Sequence, residues 1–213
     1  MLIKISLALI GIFFLHSILP AIYYKYFYRK DYGKKDLTFS FDDGPNPDFS
    51  PRLKELLDQN QIQAYFFQVG EKVKAYPNIV KDLAARGHKL GIHCYQHSHP
   101  IFWGPYKTYK DIRKARAVLE DLGLETKLYR PPHGWVNLTM VFFMKVWQLD
   151  LVLWNFLPGD WKEDQTWQET YQKLIKAKSQ GGLVCLHDSN HKIKSNSKAP
   201  ENTLRALAEF FSK

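Results

Sequence analysis

Apolar positions in this 213-residue chain fall into short solid blocks separated by longer amphipathic stretches. The blocks at 37–41, 64–69, 89–93, 127–129, 151–154 and 183–187 read as strands, because each is too short for a buried helix. Between them, apolar residues recur at helical spacing over 50–59, 77–86, 108–122, 138–147, 168–179 and 201–211. Regular alternation of strand and helix predicts a parallel sheet covered by helices, an α/β fold. Clusters of polar residues follow the carboxyl ends of several strands, where α/β barrels carry their chemistry.

The first residues follow a different pattern. Ile5 to Tyr24 is almost wholly apolar, with His16 and Ser17 as its clearly polar members. About 20 such residues cross a bilayer, and Ser17-Ile-Leu-Pro-Ala21 is a poor cleavage site. An uncleaved transmembrane helix is therefore expected, with Tyr23, Tyr24, Tyr26, Phe27 and Tyr28 as an interfacial belt. The chain divides accordingly into a membrane segment (1–28), a basic linker (29–36) and one folded domain (37–213), which is long enough for a full core. Lys25, Arg29, Lys30, Lys34 and Lys35 follow the span and only Lys4 precedes it, a distribution that would retain the domain in the cytoplasm.

The net charge of +9 raises nucleic acid as a partner. The basic residues are scattered, however, and no recognised nucleic-acid motif is present, so an anionic membrane or cell wall accounts for the charge better. Two cysteines exclude a disulfide scaffold. Cys94 and Cys185 read as reduced, buried side chains, although the strand parity of Cys185 and His187 would let the thiols approach each other.

Candidate chemistry begins at Ser40-Phe-Asp-Asp-Gly-Pro45. Asp42 and Asp43 form good turn chemistry, yet two adjacent carboxylates at a strand end also imply a cation or a base. Gly91-Ile-His-Cys-Tyr-Gln-His97 supplies two imidazoles four residues apart, which share a face if the strand turns helical at His93. His99 is a competing ligand. With one carboxylate added, these residues suit an open three-ligand metal site. Further polar clusters are Tyr129-Arg-Pro-Pro-His-Gly-Trp135, Trp154-Asn-Phe-Leu-Pro-Gly-Asp-Trp161 and Leu183-Val-Cys-Leu-His-Asp188. His187 alone would read as a satisfied core histidine. Trp103, Trp135 and Trp161 suit either sugar stacking or the core.

These five segments, in this order, resemble the motifs of the polysaccharide deacetylase family, the NodB-homology domain, from about Leu37 to the C-terminus. The resemblance implies a distorted (β/α) barrel behind the N-terminal transmembrane helix. It implies Asp42 as general base, Asp43, His93 and His97 as ligands of a divalent metal, usually zinc, and His187 as general acid. Arg130 would orient Asp42, and Asp160 would partner His187. Pro132, His133, Gly134 and Trp161 would contact substrate, with a backbone N–H of the 132–134 loop completing an oxyanion hole. Three positions depart from the family pattern: Cys94 stands for Ser or Thr, His133 for Tyr, and Leu157 for the first Asp of its motif.

The implied activity is removal of N-acetyl or O-acetyl groups from a cell-wall or surface polysaccharide such as peptidoglycan or a chito-oligomer, an amide hydrolysis outside peptide bonds. The expected location is the cell membrane, single-pass, with the domain outside. The alternatives are a deacetylase or deformylase of a lipid-linked amino sugar, which the charge distribution favours, and a catalytically inactive glycan-binding module.

Overall fold

The computed structural model describes residues 2–28, 36–162, 164–189 and 198–213. Nearly all of the basic linker expected at 29–36 lies outside them. An N-terminal helix, α1 (Leu2–Phe13), runs through a π-helical turn (Phe14–Ile18) into α2 (Leu19–Tyr26). The fold that follows is β1 (Leu37–Gly44), α3 (Ser50–Gln59), β2 (Tyr65–Val69), α4 (Gly70–Ala75), α5 (Pro77–Ala85), β3 (Lys89–Cys94) and α6 (Pro105–Glu120). It continues with β4 (Leu128–Tyr129), α7 (Leu138–Val146), β5 (Asp150–Leu151), α8 (Trp167–Lys178), β6 (Gly182–His187) and α9 (Ala199–Phe211). Every expected strand and helix is present, with ends displaced by no more than three residues. The short helix α4 carries too few residues to show a period and was not expected.

All strand pairs are parallel, in the order β5-β4-β3-β2-β1-β6. After β5 the chain crosses to the opposite edge. Asn155 and Phe156 donate their N–H groups to the Leu183 carbonyl, and Cys185 N–H donates to the Phe156 carbonyl. This irregular segment joins the two edges and curls the sheet into the expected distorted barrel.

Helices cover the outside of the sheet over one continuous core that includes Phe41, Leu57, Phe66, Val80, Ile92 and Ile112. Inside the curl lies a separate, smaller cluster of Phe67, Val152 and Leu183. Gly91 makes room for it, because a Cβ there would stand 2.5 Å from the Phe67 ring. Strands buried on both faces read as solid apolar runs rather than alternating ones, which explains the sequence pattern.

Two expectations are corrected. The chain does not turn helical at His93: β3 continues to Cys94, and His97 lies in the irregular loop after it. Cys94 and Cys185 are both free and buried, as preferred, but they do not approach each other as strand parity allowed. Strands β2 and β1 stand between β3 and β6, which at about 4.8 Å per strand separates the thiols beyond bonding reach.

Helix α7 is tied down at its start. The buried Asn137 side chain caps it by accepting from Met140 N–H at 2.9 Å, and its amide donates to Thr108 Oγ1 at 3.0 Å and the Trp103 carbonyl at 3.4 Å. The N-terminal helix docks beside it, because the π turn touches α7 and the 3-10 turn Pro100–Phe102. His16 Nε2 lies 2.8 Å from Thr139 Oγ1, and Trp135 Nε1 donates to the Ser17 carbonyl at 2.9 Å. The polar pair in the apolar run therefore faces the folded domain. Residues Ile3–Tyr26 remain long and apolar enough to cross a membrane.

Asn137→Ala removes a helix cap and two buried hydrogen bonds together. In urea unfolding of the detergent-solubilised chain it is expected to cost about 2–3 kcal/mol. A loss under about 0.5 kcal/mol would contradict this anchoring role.

Candidate active site

Adjacent residues of a regular strand point to opposite faces, so Asp42 and Asp43 cannot both enter one cavity from unbroken β1. The strand solves this at Asp43, whose φ of 74° is left-handed. The register with β2 slips there, between Asp42 and Gly44. Aspartate tolerates this conformation better than most side chains. Both carboxylates then line a cavity of about 280 Å³, with His93, His97 and His187.

Asp43 Oδ1 lies 3.3 Å from His93 Nε2 and 3.1 Å from His97 Nε2. One donor atom from each of the three residues falls within 4.8 Å of the others. His93 Nδ1 is 2.7 Å from the Arg130 carbonyl, which can only accept, so Nδ1 carries the proton. In the neutral ring the Nε2 lone pair therefore faces a carboxylate oxygen. A cation between them turns that repulsion into ligation, and the imidazole–carbonyl bond is the outer-shell partner a ligating histidine normally has. These residues fit a divalent ion. His99 is elsewhere: its Nδ1 accepts from Ile101 N–H and its ring stacks on His133 at 4.7 Å.

Asp42 is held from beneath. Arg130 is fully buried, with its guanidinium 4.0 Å from the centre of the Phe67 ring at the top of the inner apolar cluster. It donates to Asp42 Oδ1 at 2.6 Å, Ser40 Oγ at 2.9 Å and the Val152 carbonyl at 2.8 Å. Cys185 Sγ donates to Asp42 Oδ2 at 3.2 Å. Asp42, Cys185 and His187 also lie close enough together to suggest a second metal cluster. Burial, reinforced by Asp42, pushes the Cys185 thiol well up, in keeping with the proton it donates to Asp42 Oδ2.

His187 Nδ1 meets Asp160 Oδ1 at 3.0 Å, while Asp160 Oδ2 accepts from the His187 backbone N–H and from Thr203 Oγ1. Burial lowers the imidazolium pKa, but the Asp160 carboxylate, with Asp43 and Asp42 beyond it, outweighs burial and raises it to about 9. Trp161 packs its ring edge-on to His187 at 5.1 Å and stays partly exposed. In the 132–134 turn His133 is left-handed, with a φ of 56°, and lines the cavity. Pro132 has no N–H and Gly134 N–H donates to Pro131, so the turn's contribution to an oxyanion hole comes down to the His133 amide. A Cβ on Gly134 would stand 2.7 Å from the Trp154 ring.

With the site in view, likeness to known proteins becomes informative. Residues 29–152 match the family model described as polysaccharide deacetylase. A Bacillus cereus peptidoglycan-N-acetylglucosamine deacetylase is 30% identical over 160 residues, covering 74% of this chain and 75% of its own. The chain belongs to the polysaccharide deacetylase family. Among solved structures, the Bc1960 peptidoglycan N-acetylglucosamine deacetylase superposes with a TM-score of 0.75 at 25% identity, covering 84% of this chain and 81% of its own. The peptidoglycan deacetylase PdaC from Bacillus subtilis gives 0.71 at 26% identity, covering 84% and 82%.

Sequence reasoning missed several residues that shape this deacetylase site. Asp111 accepts from the Tyr95 and Gln96 N–H groups at 2.8 and 3.1 Å and so fixes the turn that carries His97. Its signal was present, because Asp111 shares the buried stripe of α6 with Thr108, Ile112, Ala115 and Leu119. Lys72 Nζ donates to the Asp43 carbonyl and to Ser189 Oγ, each at 2.7 Å, from the helix α4 that no pattern announced. Trp103 belongs to the core and Trp135 to the helix contact, so of the three tryptophans considered only Trp161 lines the cavity.

The cluster predicts that the zinc-loaded chain, after dialysis, retains metal in elemental analysis and that His97→Ala loses it. Unchanged metal content in that variant would sink the three-residue site.

Proposed function

We propose that this chain is a metal-dependent hydrolase that removes acetyl groups from amino sugars of a cell-wall polysaccharide, anchored by residues 1–28 and acting through a domain spanning 37–213. One observation carries this reading: the three-donor cluster, an arginine-bound carboxylate and a histidine–aspartate pair line a single cavity. Family membership and relatives named as peptidoglycan deacetylases support the same reaction class. A catalytically dead glycan-binding module would have no need of this arrangement.

Asp43, His93 and His97 would hold the ion, and two imidazoles with one carboxylate suit zinc in an open site. Such an ion supplies an acidified water and a polarising charge for the acyl oxygen. Asp42 is the base. Arg130 occupies its Oδ1, and Oδ2, which accepts from Cys185 Sγ, keeps a second lone pair to take a proton. The His133 amide would stabilise an oxyanion. His187 is the acid: Asp160 takes Nδ1, so Nε2 delivers the proton to the departing nitrogen. Trp161 and His133, which line the cavity, would contact the sugar. Outward placement of the domain follows from a cell-wall substrate and stands against the lysines that follow the apolar run.

Acetate release from a chito-oligosaccharide tests the division of labour. Asp42→Asn and His187→Ala should each lower turnover about 100-fold or more while retaining metal. Near-normal turnover in either would remove that residue from the mechanism. An acid is active only below its pKa, and Asp160 raises that of His187, so the alkaline limb of the rate profile should lie above the ordinary imidazole value. Asp160→Asn removes the charge that raises His187, so the limb should move to lower pH. An unmoved limb would show that His187 is not the titrating acid.

A further inference from the structure

The N-terminal helix and the catalytic fold enclose a second cavity of about 380 Å³. Ala21, Ile22, Lys25 and Tyr26 form the helix side, and Gly134, Trp135 and Leu153 lie on the other. His133, Trp154 and Leu157 line both this cavity and the one holding Asp42 and His187, so the two meet at those three side chains. Leu157, apolar where the family pattern has Asp, makes part of that shared wall greasy.

Helix geometry sets the depth of this cavity. At about 1.5 Å per residue, Ser17 lies about 21 Å and Lys25 about 33 Å along the axis from Ile3. A hydrocarbon core is about 30 Å thick. If the helix crosses from Ile3, the turn docked on Trp135 is still at lipid depth and Lys25 emerges among the headgroups. The surrounding surface agrees. The two elements touched by the π turn carry exposed large apolar side chains, Phe102 at 80% exposure and, spaced along one face of α7, Leu138, Phe142 and Val146. Such a face suits the lipid boundary and is costly in water. Lys25 is the only Lys, Arg, Asp or Glu among the described residues lining the cavity, and in a helix crossing from Ile3 it would emerge beside the lipid phosphates.

We propose that this cavity binds the phosphate-bearing, lipid-linked end of an N-acetylated amino sugar. The sugar's acetamido group reaches the Asp42–His187 cavity while its lipid stays in the bilayer beside the helix. Lys25 pairs with the phosphate, Tyr26 and Trp154 flank the sugar, and Ile22 and Leu157 meet the first carbons of the lipid. The enzyme then acts on membrane-held glycan rather than on wall polymer at a distance. This rests on the deacetylase reading above, and the test separates the two.

Full-length, zinc-loaded protein in phosphatidylglycerol vesicles is assayed for acetate release from polyprenyl-diphosphoryl N-acetylglucosamine and from a soluble chito-oligosaccharide. Co-localisation alone favours the membrane substrate, so the variants decide. Ile22 and Lys25 are exposed, and replacing them leaves the core intact. Ile22→Trp, which fills the cavity, and Lys25→Gln are each expected to lower kcat/KM on the lipid-linked sugar about tenfold or more, the loss of one charge-assisted contact or equivalent packing. Turnover of the soluble oligomer should stay within about twofold. Equal losses on both substrates, or no loss on the lipid-linked one, as expected if bulk phospholipid fills the cavity, overturn the proposal and leave the deacetylase reading standing. No acetate from either substrate with the unmodified enzyme overturns both.

Discussion

A guanidinium buried on an aromatic ring, with one carboxylate as its counter-charge, is the constraint on which this site depends. Arg130 has no exposure, and desolvating such a cation is costly unless geometry and hydrogen bonding compensate. Compensation comes from three strands and the segment after β5: Asp42 and Ser40 on β1, the Val152 carbonyl just past β5, Cys185 on β6, and the Phe67 ring of β2 below. The Arg130 carbonyl meanwhile holds the His93 ring. One residue thus sets both the orientation of Asp42 and the tautomer of His93. Losing either charge of the pair would strand the other in the barrel, a cost of about 3–5 kcal/mol.

Above that platform the remaining groups are placed by breaks in regular structure. The left-handed residue at Asp43 returns its side chain to the cavity that strand parity would deny it, and Lys72 steadies the carbonyl beside it. His97 arrives by a turn that Asp111 ties to α6 rather than by a helix. Asp160 holds His187, and Thr203 from α9 holds Asp160 in turn. Strength of aim therefore comes from residues that do no chemistry themselves.

That division explains what could be read from the chain. Alternating apolar blocks state the strand order in sequence and hence the α/β class, and Asp42, Asp43, His93, His97, Arg130, Asp160 and His187 stand out as reactive types at strand ends. What brings His93 to His97 is a tertiary contact to Asp111, so spacing alone suggested a helical face. Closure of the sheet by Asn155 and Phe156 is equally invisible, since a two-residue β5 followed by irregular chain has no period. In the apolar leader His16 and Ser17 look like blemishes in a membrane span. Their partners, Thr139 and Trp135, lie more than a hundred residues away, and only the fold shows that they are docking contacts.

The docked helix extends the logic of the site outward. The Asp42–His187 cavity and the cleft beside the helix share His133, Trp154 and Leu157, so the groups held by Arg130 and the docked helix meet at those three side chains. The most direct test of the central claim is a double-mutant cycle on the buried pair, with Arg130→Met, Asp42→Leu and the combination followed by urea unfolding. Each single variant strands a charge, so the double variant should cost about 2–3 kcal/mol less than the sum of the two. Additive losses, within about 0.5 kcal/mol, would contradict the claim that this pair is the coupled support of the site.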